Sequence, residues 1–136
     1  KLAQSASSKW KKLYKTILAN KRAGGAFENK ALSKLGNQKN ELLMMNKATS
    51  KGFIPDAVKG NPNKLVWGKA YEFTEIKGWK DMYKIGNLKS MMEYVDKFGG
   101  YLTVVFRSDT GLTGPLRSTL RSLRTRGLVK IMRIAP

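Results

Sequence analysis

The chain has 136 residues, 27 of them Lys or Arg against 9 Asp or Glu, for a net charge of +18. It contains no cysteine and no histidine, which excludes a disulfide scaffold, thiolate or imidazole metal sites, and any nucleophile activated by a histidine base. Carboxylate, lysine, hydroxyl and metal chemistry remain, in a single domain (1–136) large enough to bury roughly two thirds of its unfolded surface. The charge calls for a polyanionic partner: nucleic acid first, then an acidic protein or an anionic membrane surface. No apolar run is long enough to cross a bilayer, and the start lacks a cleavable secretory pattern. Lys1 stands where a Met would open a whole protein, which points to the tail of a longer polypeptide.

From Ser8, SKWKKLYKTILANKR sets Trp10, Leu13, Tyr14, Ile17 and Leu18 at helical spacing, an amphipathic helix within an N-terminal extension, residues 1–23. Lys9, Lys11, Lys12, Lys15 and Lys21 lie on its other face, as phosphate contacts or as a solvated surface. Gly24-Gly25 ends it. A second helix is expected from Ala26 to Leu35, with Phe27, Ala31 and Leu35 as its stripe and Gly36 as its stop. Glu28 falls in its first turn, where the amide end of a helix favours an acid. Between Asn37 and Lys51 the apolar patch Leu42-Leu43-Met44-Met45 fits a short strand and a helix equally well.

Two strands follow, Phe53 to Val58 and Tyr71 to Gly78, around the turn residues Gly60-Asn61-Pro62-Asn63. So joined, they are expected to pair antiparallel. Alternation puts Glu75 and Lys77 on one face and Ile76 on the other. If the register also sets Asp56 alongside, two carboxylates and an ammonium converge, which is costly unless a cation sits between the acids. A divalent metal is the natural candidate. Lys77 as a plain salt-bridge partner of Glu75 is the alternative.

Beyond a loop from Trp79 to Gly86, Asn87 to Phe98 reads as a helix with Leu88, Met91, Met92, Val95 and Phe98 on one side, closed by Gly99-Gly100. Tyr101 to Arg107 is a nearly continuous apolar run, the mark of a strand covered on both faces and joined to a parallel neighbour by that helix. Pro115 opens a last helix with Leu116, Leu120 and Leu123 inward and Arg117, Arg121 and Arg124 on another side. Leu128 to Ile134 is the closing strand. The expected fold is α/β, a central mixed sheet flanked by helices, in the order helix, helix, strand, strand, helix, strand, helix, strand.

Pro55-Asp56 followed by Glu75-x-Lys77, with Glu28 in Gly24-Gly25-Ala26-Phe27-Glu28 on the helix before them, resembles the PD-(D/E)xK nuclease superfamily and its restriction-endonuclease-like core. The resemblance implies one or two Mg2+ or Mn2+ ions held by Asp56, Glu75 and the Ile76 carbonyl, with Glu28 completing the site or serving only as a helix-start acid. Lys77 would orient or activate the attacking water. Arg117, Arg121, Arg124 and Arg126 would hold substrate backbone, because guanidinium forks phosphate, or form a solvated face.

From Gly24 onward the chain looks like the C-terminal nuclease toxin domains of bacterial contact-dependent growth inhibition and other polymorphic-toxin systems. Such a domain ends a larger secreted or surface-delivered effector, acts on tRNA or DNA in the target-cell cytoplasm, and is held inactive by an acidic cognate immunity protein. A Holliday-junction-resolvase-like or repair nuclease is the runner-up. A non-catalytic basic nucleic-acid-binding module accounts for the charge but not for Asp56 and Glu75 on the central strands, where they would repel a polyanion. A glycosidase accounts for the carboxylate pair but for neither Lys77 nor the charge.

Overall fold

The computed structural model describes residues 25–78 and 85–136, together with Lys11, Lys12 and Lys15. Those three lysines are helical and exposed. The apolar stripe of the N-terminal helix, Trp10 to Leu18, lies outside the described residues, as does most of the loop from Trp79. The described elements are α1 (Gly25–Leu35), β1 (Met44–Asn46), β2 (Lys51–Phe53), β3 (Ala57–Val58), β4 (Glu72–Lys77), α2 (Gly86–Phe98), β5 (Tyr101–Arg107), α3 (Gly114–Thr125) and β6 (Val129–Ile134). They build a mixed α/β fold around a four-stranded sheet ordered β3-β4-β5-β6, with β1 and β2 forming a separate antiparallel pair.

In the main sheet β3 runs antiparallel to β4, while β4, β5 and β6 are parallel. Each parallel step needs a crossover, and α2 and α3 supply them. Both helices cover one face, where Leu88, Met91, Val95, Leu116, Leu120 and Leu123 pack against Phe73, Leu102, Val104, Phe106 and Val129. The other face belongs to α1, whose Ala31 and Leu32 meet Ala57, Ile76, Val105 and Ile134. Neighbouring Val104 and Val105 thus serve opposite cores, as the continuous apolar run of β5 requires.

Local chemistry sets the element ends. Gly36 at φ +67° closes α1 as the Gly36 N–H donates to the Ser33 carbonyl and the Asn37 N–H to the Leu32 carbonyl. Thr113 caps α3, its hydroxyl accepting the Leu116 N–H at 3.4 Å. The ambiguous patch resolves as strand: Met44 to Asn46 pair with Lys51 to Phe53 across a turn in which the Asn46 side chain accepts the Ala48 N–H at 3.0 Å.

One expected strand is two. Phe53 belongs to β2 opposite Met44, and only Ala57 and Val58 pair with β4 as β3. Pro55, between them, has no N–H to give a ladder. The Ile54 N–H turns instead to the side chain of Asn87, at 3.3 Å. No helix of the described residues is long and apolar enough to cross a membrane.

Gly100, at φ +96°, carries the chain from α2 into β5, and a Cβ added there would lie 2.3 Å from the Tyr71 carbonyl oxygen. Gly100→Ala is therefore expected to destabilise the fold by at least about 2 kcal/mol. In thermal unfolding followed by circular dichroism this reads as a Tm lowered by roughly 6–10 °C.

Candidate metal and active site

The site grows from the edge of β4. The carbonyls of Glu72 and Thr74 face β3, accepting the N–H groups of Lys59 and Asp56 at 3.0 Å each. Two residues on, the Ile76 amide points the same way, but the chain has already turned off at Pro55. The Asp56 carboxylate fills the gap, its Oδ2 accepting the Ile76 N–H at 2.6 Å. A side chain thus replaces a strand carbonyl, which holds the carboxylate at the level of the sheet. The Ile76 carbonyl lies on that same edge, because a strand residue turns its N–H and C=O to the same side.

Asp56, just before β3, donates its N–H to the Thr74 carbonyl and sends its carboxylate to the Ile76 N–H, so it lies at the edge of β4 beside Glu75. Asp56 and Glu75 are both fully buried. Glu75 Oε2 accepts the Asn87 Nδ2 at 2.6 Å and pairs with the Lys77 ammonium at 3.2 Å. Lys77 is itself nearly buried, so its charge and that of Glu75 compensate each other where water does not. Glu75 and Lys77 lie on the face of β4 that α2 covers, and the Asp56 carboxylate lies at the strand edge beside them, toward the C-terminal end of β4. The C-terminal ends of parallel strands are where open α/β sheets take their ligands.

Glu28 sits on α1 with Ala31 and Leu32, turned toward the sheet and 5% exposed. Lys39 Nζ stands 3.6 Å from its Oε1, close enough for charge attraction but too far for a hydrogen bond. That oxygen is buried with no hydrogen-bond partner among the described residues. Glu28 lies on α1, the helix that covers the other face of β4 from Glu75 and Lys77, and among the described residues no three His, Cys, Asp or Glu side chains are gathered at metal-holding spacing.

Two residues that sequence reasoning passed over build the surroundings. Asn40 clamps the Pro55-Asp56 turn, its backbone N–H donating to the Asp56 carbonyl at 2.8 Å and its Nδ2 to the Pro55 carbonyl at 2.9 Å. Asn87, in the first turn of α2, reaches both Ile54 and Glu75. In the sequence each is an isolated Asn beside a turn or a helix start, a position its capping preference already explains. Arg117, Arg121 and Arg124 lie exposed along α3. Arg126, just past the end of α3, pairs with Asp96 of α2. Helix α3 starts where β5 ends, so Arg117 lies toward the end of the sheet that carries Lys77, and Arg124 toward the far end. The chain has no significant match among protein-family models, curated proteins or solved structures.

Asp56→Ala deprives the buried Ile76 N–H of its acceptor, whereas Asp56→Asn keeps an oxygen there. The alanine variant is expected to be less stable than the asparagine variant by about 1–3 kcal/mol, read from urea unfolding in EDTA. Equal stabilities would show that the carboxylate does not support this edge of the sheet.

Proposed function

We propose that this protein is a metal-dependent nuclease of the restriction-endonuclease-like type, hydrolysing phosphodiester bonds of tRNA or DNA. The observation that carries the proposal is the buried group Asp56, Glu75 and Lys77 at the end of β4 in a chain with three times as many cationic as acidic residues. A protein built to bind a polyanion gains nothing from carboxylates at such a point unless a cation joins them to the phosphate.

The donor set suits that cation. Carboxylate and main-chain carbonyl oxygens are the hard ligands that Mg2+ and Mn2+ take. Asp56, Glu75 and the Ile76 carbonyl would hold the ion, and Glu28, on the helix across the sheet, is not gathered with them. A divalent cation bound there supplies Lewis-acid polarisation of the phosphodiester and a water acidic enough to attack at neutral pH. Lys77, paired with Glu75, offers its N–H groups to the attacking water or to the charge that builds on the phosphate oxygens. Asp56, bound to the Ile76 amide, is held in place before any ligand arrives. Arg117, Arg121 and Arg124 grip substrate backbone from α3.

Such a domain works as the toxin of an interbacterial competition system, the C-terminal part of a larger delivered effector, and is neutralised in its producer by an acidic immunity protein. The inhibitor's carboxylates would pair with the basic rim, because carboxylates set against Asp56, Glu75 and Glu28 would meet repulsion. Complementary fields make that association fast and salt-sensitive.

Incubation with duplex plasmid and with total tRNA, each with Mg2+, Mn2+ or EDTA, tests the activity and identifies the substrate. Cleavage is expected with metal and not with EDTA. Asp56→Asn, Glu75→Gln and Lys77→Met should each lower the rate by about 10²-fold or more, while affinity measured in EDTA is kept. Binding of both nucleic acids without cleavage in any divalent metal would make the protein a binding module instead. A stable dimer that cuts branched DNA would favour the resolvase reading.

Replacing Arg117, Arg121 and Arg124 together by Gln should weaken binding irrespective of sequence and flatten the dependence of log K on log salt by about 2–3 units, close to one per lost phosphate contact. An unchanged slope would mean that α3 faces away from the substrate.

A further inference from the structure

Asn87 touches both acid-bearing segments with one side chain. Its Oδ1 accepts the Ile54 N–H at 3.3 Å, and its Nδ2 donates to Glu75 Oε2 at 2.6 Å and reaches the Ile54 carbonyl at 3.4 Å. The Ile54 N–H needs an acceptor, so the amide oxygen is committed there and the amide nitrogen faces Glu75. Lys77 Nζ meets the same Glu75 oxygen at 3.2 Å. A carboxylate alone rotates in a broad, shallow well, and two donors converging on one oxygen fix its plane. Ile54 is two residues from Asp56, and the Pro55 ring between them stiffens the link. The contact that orients Glu75 therefore also sets where Asp56 enters the sheet. Asn87 is itself anchored by its helix, because the next residue, Leu88, and Met91 one turn on are fully buried in the core.

We infer that Asn87 is a positioning residue for the metal-binding carboxylates, locking Glu75 and the Ile54–Asp56 turn into the arrangement that a divalent cation needs. The inference rests on the metal-dependent reading above. Groups that hold metal ligands from behind commonly contribute 10- to 100-fold to metal affinity, and Asn87 holds Glu75 directly and the turn that leads to Asp56 through Ile54.

Mn2+ titration calorimetry on the parent, Asn87→Ala and Asn87→Leu tests it; leucine matches asparagine in shape and favours the helix, so it preserves the packing of α2. Both variants are expected to raise the Mn2+ dissociation constant about 10- to 100-fold. Cleavage should need correspondingly more Mn2+ for half-maximal rate and recover most of its maximum at saturation, with nucleic-acid affinity in EDTA unchanged. A purely structural role would lower the Tm and leave the Mn2+ constant of the folded protein alone. Parental Mn2+ affinity in folded Asn87→Leu overturns the inference and leaves the nuclease reading standing. Absence of Mn2+ binding by the parent itself overturns both.

Discussion

A backbone amide that loses its neighbouring strand inside a protein must find another acceptor, and at Ile76 that acceptor is the Asp56 carboxylate. The rest of the site follows from this substitution. Pro55 bends the chain away from β4, the departure leaves an open edge, and the first residue after the bend sends its side chain into the opening. The sheet thereby carries an acid as part of its own hydrogen bonding, held without the freedom of a loop. Glu75 is held as firmly from the opposite direction, between Lys77 on its own strand and Asn87 on α2.

Such an arrangement is expensive as pure structure. Asp56, Glu75 and Glu28 are all removed from water, and a buried carboxylate is costly unless it is paired or hydrogen-bonded. Lys77 answers for Glu75, and Lys39 stands off from Glu28 at ion-pair distance without donating to it. An apolar residue at position 28 would extend the stripe of Ala31 and Leu32 and serve the core better. Glu28 has a role in the first turn of α1, where the amide end of a helix favours an acid, but that role does not call for its burial.

How much of this the sequence discloses varies from element to element. Helices with one apolar face, α2 and α3, and the doubly covered strand β5 are legible because periodicity reports burial directly. Parallel pairing of β4 with β5 follows from the helix between them. The stretch from Phe53 to Val58 misleads, since its apolar residues suit one long strand, whereas Pro55 divides them between two sheets. Alternation alone puts Glu75 and Lys77 on one face, and the structure adds the 3.2 Å contact between them. Asn87 and Asn40 are invisible at that level, because their importance lies in partners 12 to 33 and 15 residues away, and no local pattern encodes such pairings.

The placement of charge argues in the same direction as the placement of acids. Arg117, Arg121 and Arg124 occupy the outward side of a helix whose inward side is Leu116, Leu120 and Leu123, so the core needs nothing from them and their spacing is free to follow a ligand. Helix α3 runs back from the end of the sheet that carries Lys77, and its first arginine is closest to that end. A phosphate chain laid along α3 from Arg124 to Arg117 would therefore be led toward the end of β4. There it would meet carboxylates, which repel a phosphate unless a cation lies between them. On the proposed reading, long-range attraction by the basic surface and short-range refusal by the acids would together make productive docking conditional on the metal, a physical reason for buried acids in a chain of such positive charge.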